Sequence, residues 1–143
     1  MADKPKVKIL FVEDNDLLRS LFSELFSVDK DYDYETLSAA DLKSGLEALS
    51  NRPNAVILDL ILPYDKSAPT EAELNEKNGL SFLEEVKKDP NYKDIPIIVF
   101  SNLNDTEVQN KTRDLGACAY LVKSSTSPEK FMTVLKEKLE IKI

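Results

Sequence analysis

The chain has 143 residues, 42% hydrophobic and 31% charged, enough apolar content to bury the core of one globular domain. A net charge of −7 argues against nucleic-acid binding, because phosphate contacts need a basic surface, and no run approaches the roughly 18 apolar residues of a membrane span. Histidine is absent and Cys118 is the only cysteine, which removes internal disulfides, histidine-based nucleophiles and most transition-metal sites; carboxylates, hydroxyls and lysines must carry any chemistry, and a reducing, cytoplasmic setting is expected.

Lys6 to Val12 is a short apolar run rich in β-branched residues, read as a strand, and it stops at four polar residues, Glu13-Asp14-Asn15-Asp16. Leu17, Leu18, Leu21, Phe22, Leu25 and Phe26 then recur at helical spacing, with Asn15 or Asp16 as N-cap. Capping explains one or two of the preceding acids but not all of them. Leu17 and Leu21 widen the apolar stripe; core packing is the favoured reason, and a docking contact for a protein partner is the alternative. Asp33 to Ala40 is a less apolar strand, suited to a sheet edge, and Asp41 caps a helix with Leu42, Leu46 and Leu49, in which Gly45 permits close packing.

After the break at Asn51-Arg-Pro-Asn54, Ala55 to Leu58 form an unbroken apolar run, short enough for a strand buried on both faces. Pro63 forbids its continuation. Asp59, at the point where this strand emerges, is either a cap on the following turn or a functional group on a rigid support. A helix with Leu80, Leu83 and Val86 on one face closes at Asp89-Pro90. Ile95 to Phe100 is a further buried strand ending at Ser101-Asn102. A helix starting at Asp105 or Thr106 has few apolar residues (Val108 and Leu115 mainly) and stops at Gly116. Cys118 to Val122 is the last strand, ending at Lys123, and Ser127-Pro128 opens a final helix with Phe131, Val134, Leu135 and Leu139.

Five β-α units predict a parallel sheet with helices on both faces. In such sheets ligands bind beyond the carboxyl ends of the strands, and here those ends deliver Glu13-Asp14, Asp59, Ser101 and Lys123 to one edge. Each alone reads as a turn residue; together they are poorly explained by coincidence. At an effective dielectric of ~20, two carboxylates about 4 Å apart repel by about 4 kcal/mol, so the site needs a cation or a protonated carboxyl. An all-oxygen donor set with few protein ligands suits Mg²⁺ better than Ca²⁺. A metal, an ammonium and a hydroxyl together form a receptor for a phosphoryl group, and a carboxylate beside them can act as nucleophile toward phosphorus.

The spaced set FVEDN, ILDLILP, VFSN and YLVK resembles the receiver domain of two-component response regulators, over Lys6 to about Glu140. The resemblance implies an α/β, flavodoxin-like, doubly wound (βα)5 domain with a five-stranded parallel sheet of order 2-1-3-4-5. It implies a phosphoacceptor switch in a phosphorelay, with Asp59 phosphorylated from a phosphohistidine on a partner histidine kinase or phosphotransfer protein. Asp14, Asp59 and the backbone carbonyl of Ile61 would hold Mg²⁺ (with Mn²⁺ able to substitute), and Glu13 would act directly or through water. Lys123 would pair with the phosphoryl oxygens and Ser101 would bond one of them. Tyr120 would be the switch aromatic, its ordinary alternative being a half-buried strand residue. Asn102 and Leu103 would tune the lifetime of the phosphorylated state.

No output domain follows Leu139, so the expectation is a stand-alone receiver, residues 1–143, that signals by protein contacts and is not an enzyme; its downstream target is not legible. Alternatives are an aspartyl-phosphate phosphotransferase or phosphatase and a non-phosphorylated adaptor. Phosphatases of that kind carry a second Asp two residues after the nucleophile, where this chain has Ile61.

Two features depart from the family pattern. Leu62 to Asn78 is a 17-residue connection containing an insertion at about 64–78, where most βα loops run about 2–6 residues. Thr70-Glu-Ala-Glu73 is a capping-box pattern that predicts a short helix at about 71–77. The insertion either screens Asp59 or is a solvated ornament; trimming 66–76 and timing phosphoryl loss separates the two. The family's lysine is commonly followed by proline, often in a cis bond, but Lys123 is followed by Ser124. A trans bond with a somewhat different lysine aim is expected, because a non-proline cis bond costs about 2.5–4 kcal/mol.

Overall fold

The computed structural model describes residues 4–13, 16–63, 65 and 76–142. Five strands, β1 (Lys6–Val12), β2 (Asp33–Ala39), β3 (Ala55–Leu58), β4 (Ile97–Ser101) and β5 (Ala119–Val122), alternate with five helices, α1 (Asp16–Val28), α2 (Leu42–Ala48), α3 (Lys77–Lys88), α4 (Thr106–Asp114) and α5 (Pro128–Lys142). The strands form one parallel sheet, as the β-α alternation predicts, in the order β2-β1-β3-β4-β5 that the family resemblance implies. Every residue of β3 is buried, as befits the middle of a sheet covered on both faces, and the less apolar β2 lies at an edge.

Alternation along the strands sorts the core into two layers. Val7, Ile9, Phe11, Ile57, Phe100 and Leu121 pack against Phe22 and Phe26 of α1 and Phe131 and Leu135 of α5. Leu10, Val12, Val56, Leu58, Ile97 and Val99 pack against α2 and α3, with Val108 of α4 at the margin. Thr112 is the only fully buried residue of α4, consistent with the weak anchoring its composition suggests.

The caps follow the sequence. Asp41 Oδ1 accepts from the Ser44 N–H, Asp105 Oδ1 from the N–H groups of Glu107 and Val108, and Ser127 Oγ from that of Lys130. Gly116 ends the α4 turn with φ of 104°, a conformation that favours glycine. The fourth strand starts later than expected. The Ile95 N–H turns back to the Tyr92 carbonyl, and Pro96 has no N–H to give, so Pro96 meets β3 only through its carbonyl, which accepts from the Val56 N–H, and the strand register begins at Ile97.

The favoured reading of Leu17 and Leu21 as core is corrected. They are 71% and 52% exposed, with Val28 at 74%. Leu18, Phe22, Leu25 and Phe26 already fill the face that the sheet can cover, and 17, 21 and 28 continue as a second stripe beside it, facing outward. The helix expected at about 71–77 falls largely outside the described residues, as does most of the insertion.

Candidate functional site

Strand register brings the polar strand ends side by side. Val12 pairs with Leu58, so Glu13 and Asp59 follow on adjacent strands, and the Asp59 N–H bonds the Val12 carbonyl at 2.9 Å. Ser101 pairs with Val122, so Lys123 emerges one residue beyond it. Alternation then decides which side chains meet. Glu13, Asp59 and Lys123 continue the positions facing α1 and α5, whereas Ser101 continues those facing α4.

Lys123 reaches across β4, with its Nζ 6.0 Å from the centre of the Phe100 ring, and ends between the two acids. The ammonium donates to Glu13 Oε2 at 2.6 Å and to Asp59 Oδ2 at 3.2 Å. All three side chains are largely buried, Glu13 only 4% exposed. Burial by itself would lower the Lys123 ammonium, but the Glu13 hydrogen bond and the Asp59 charge outweigh it and hold the group above the ordinary lysine value. One ammonium between two carboxylates leaves a net negative charge in a low-dielectric cleft, a setting that attracts a cation. The Lys123–Ser124 bond is trans, as expected without a proline, and Lys123 still reaches both acids.

The peptide after Asp59 is held in place. Asp59 Oδ1 accepts from the Ile61 N–H at 3.2 Å. The carbonyls of Leu60 and Leu62 accept from the Gly79 N–H and from Asn78 Nδ2, and that of Pro63 from the Leu42 N–H. Among the described residues no donor meets the carbonyl of Ile61 between them. Glu13, Asp59 and this carbonyl are hard oxygen donors of the kind that Mg²⁺ and Mn²⁺ take. Asp14, the remaining metal ligand expected from sequence, lies outside the described residues.

Ser101 stands apart from the lysine cluster. Its Oγ accepts from the Leu103 N–H at 3.3 Å, while the Tyr120 hydroxyl donates to the Leu103 carbonyl at 2.7 Å. Two side chains from β4 and β5 thus grip both polar groups of one residue in the β4–α4 connection. Burial pushes the Tyr120 phenol above its ordinary value, so it remains a donor throughout the neutral range. Asn102 is exposed on the same loop and Leu103 half-buried. Phe100 beneath Lys123 and Asn78 behind Ile61 were not singled out by the sequence reading. The Asn-Gly pair that opens α3 was the available signal for the second.

Comparison with known proteins decides the family. The model of the response regulator receiver domain matches residues 9–136. This chain is a member of that family. Receiver domains are signalling modules of two-component systems, interact with histidine kinases and phosphotransfer proteins, and as a family bind divalent metal. Response regulator Rcp1 of Synechocystis sp. is 29% identical over 93% of this chain and 86% of its own length. The crystal structure of its Mn²⁺-bound form superposes with a TM-score of 0.71 at 26% identity, covering 91% of this chain and 90% of that one. The phosphorylated cyanobacterial phytochrome response regulator RcpA superposes with a TM-score of 0.72 at 26% identity, over 93% and 91% of the two chains. The probable transcriptional regulator ycf27 of Porphyridium aerugineum is 31% identical over 87% of this receiver, which spans only 45% of that relative. Among the described residues of this receiver, no helix is long and apolar enough to cross a membrane.

Proposed function

We propose that this receiver is a phosphoacceptor switch whose nucleophile is Asp59. The observation that carries the reading is the Lys123 ammonium shared between Asp59 and Glu13, which holds two carboxylates together, largely buried, at the carboxyl edge of the sheet. An Asp59 carboxylate oxygen attacks phosphorus of a phosphohistidine; the new O–P bond forms as the P–N bond breaks, and its electron pair leaves with the imidazole. The Ile61 N–H on Oδ1 fixes the carboxylate's rotation for that attack. Lys123 is placed to follow the negative charge onto the phosphoryl oxygens.

Asp59, Asp14 and the Ile61 carbonyl would hold Mg²⁺, with Glu13 as a direct or water-mediated partner. A bound divalent ion supplies neutralising charge for the phosphoryl group. Mn²⁺ has the same preference for oxygen donors, and the Rcp1 neighbour is described as Mn²⁺-bound.

Signal output runs through Leu103. When the Ser101 hydroxyl turns to a phosphoryl oxygen it gives up the Leu103 N–H, and Tyr120, bonded to the other side of that residue, carries the change to α4, the least buried helix of its layer. Asn102 and Leu103 border this path and would set the lifetime of the phosphorylated state. The phosphoryl donor approaches along α1. An apolar groove of about 440 Å³, bordered by Leu18, Leu21, Leu25, Val28 and Pro128, has Lys123 in its lining, so a helix of a kinase or phosphotransfer protein lying there stands beside the nucleophile.

Mass spectrometry after mixing with acetyl phosphate and Mg²⁺ tests the reading. One labile adduct of phosphoryl mass is expected on the wild type and none on Asp59→Asn. An adduct retained by Asp59→Asn would remove Asp59 from the role.

A further inference from the structure

Beyond the nucleophile and the cation, the structure bears on how a chain with an unusually long loop after β3 keeps its metal-binding peptide in register. We infer that Asn78 is a positioning residue for the metal: its side-chain amide closes the base of the insertion and fixes the Ile61 carbonyl. The inference rests on the proposal that Ile61 is a metal ligand.

Among the described residues, 60–62 have no strand partner to hold them. Leu60 and Leu62 are fully buried in the α2–α3 layer, so their side chains anchor alternate residues and leave Ile61, half-buried, on the other side. Their carbonyls are polar groups attached to buried residues and need donors. The chain supplies none next door, because Pro63 has no N–H. The start of α3 supplies both, by the Gly79 N–H to Leu60 at 3.2 Å and by Asn78 Nδ2 to Leu62 at 2.9 Å. With the Ile61 N–H already on Asp59, the two peptide planes flanking the Ile61 carbonyl are fixed from both ends. The Asn78 contact joins residues 16 apart in sequence, so it spans the whole insertion. Geometry at Ile61 is thereby set by Asp59 on one side and the start of α3 on the other. Only the amide nitrogen can face a carbonyl, so the Asn78 orientation follows from its partner.

Titration calorimetry of the full chain with MgCl₂ and with MnCl₂, alongside melting in EDTA, tests this. Outer-sphere partners that orient a ligand are worth about 10–100-fold in metal affinity. Asn78→Ala, and Asn78→Leu, which keeps bulk but loses the donor, should weaken both metals at least about tenfold at temperatures where each remains folded. A merely structural residue would lower the melting point in EDTA and leave affinity untouched; wild-type affinity in either folded variant overturns the inference. Ile61 itself cannot be tested by side-chain change, since its carbonyl is retained. If the wild type takes up neither metal, the metal reading falls and the positioning role falls with it, a result distinct from unchanged affinity in the variants.

Discussion

Two lysines in this receiver each sit between two carboxylates, with nearly the same geometry and different consequences. Lys123 bonds Glu13 and Asp59 at 2.6 and 3.2 Å; Lys136 of α5 bonds Asp29 and Asp31, in the α1–β2 connection, at 2.8 and 2.7 Å. Around Asp29 the remaining acceptor capacity is spent locally. The Tyr34 hydroxyl and the Tyr32 N–H both donate to its Oδ2, and Lys4 bonds its backbone carbonyl. Burial would raise the Asp29 carboxyl, but hydrogen bonds from Lys136, Tyr34 and Tyr32 together hold it below its ordinary value. Burial and the Asp29 charge push the Tyr34 phenol well up. That cluster is a closed staple between α5 and the α1–β2 connection, and Asp31 at its rim is 64% exposed.

At Asp59 the three charged groups come from three separated strand ends, and the adjoining Ile61 carbonyl meets no donor among the described residues. An ion pair whose surroundings are saturated is structure; the one beside an unspent carbonyl oxygen, at the sheet edge where ligands bind, is the candidate site.

The comparison breaks most decisively at Lys123. Lys123→Met leaves two carboxylates together without their cation and should cost about 3 kcal/mol in EDTA, with most of the loss recovered on adding Mg²⁺, as read by chemical denaturation. It should also lose phosphorylation-dependent behaviour, whereas full retention would dissociate Lys123 from the switch. Gly79→Ala should cost at least about 3 kcal/mol as well, since a Cβ there would stand 2.4 Å from the Leu60 Cα, a backbone atom that cannot swing aside. Lys136→Met should cost only about 1 kcal/mol, a fall of roughly 3–5 °C in Tm, unrelieved by Mg²⁺ and without effect on the phosphoryl adduct. Rescue of Lys136→Met by Mg²⁺ would erase the distinction between the clusters.

The smallest effect is on pH. Because the folded Asp29 carboxyl titrates below its ordinary 3.8, its contribution is complete above that value and is lost as pH falls through the folded pKa. Asp29→Asn should therefore be less stable than wild type near neutrality and converge with it in acid. For Lys123 and Lys136 the folded values are raised, so their contributions persist up to the ordinary lysine value of 10.5 and fade above it.

What could be read in advance follows local rules. Apolar runs of four to seven residues that end in acids gave β1 and β3, and Asp41, Asp105 and Ser127 announced their helices because capping is a contact between near neighbours. Asp59 and Lys123 were legible as strand-end residues on one edge, since parallel β-α units place every strand's carboxyl end there. The favoured reading of Leu17 and Leu21 as core was misjudged, because a helical repeat gives the width of an apolar face but not how much of it a sheet can cover.

The amino-acid sequence by itself thus determined the order of elements, the edge at which the polar strand ends gather and the restriction of their chemistry to carboxylates, hydroxyls and lysine, all properties of short stretches or of composition. Tertiary structure alone decided that Lys123 joins Glu13 and Asp59 while Ser101 turns toward α4, that Lys136 is spent as a staple, and that Asn78 meets Leu62 across the insertion. Those outcomes depend on strand register and side-chain reach between segments far apart in the chain, and no local pattern encodes a distance of that kind.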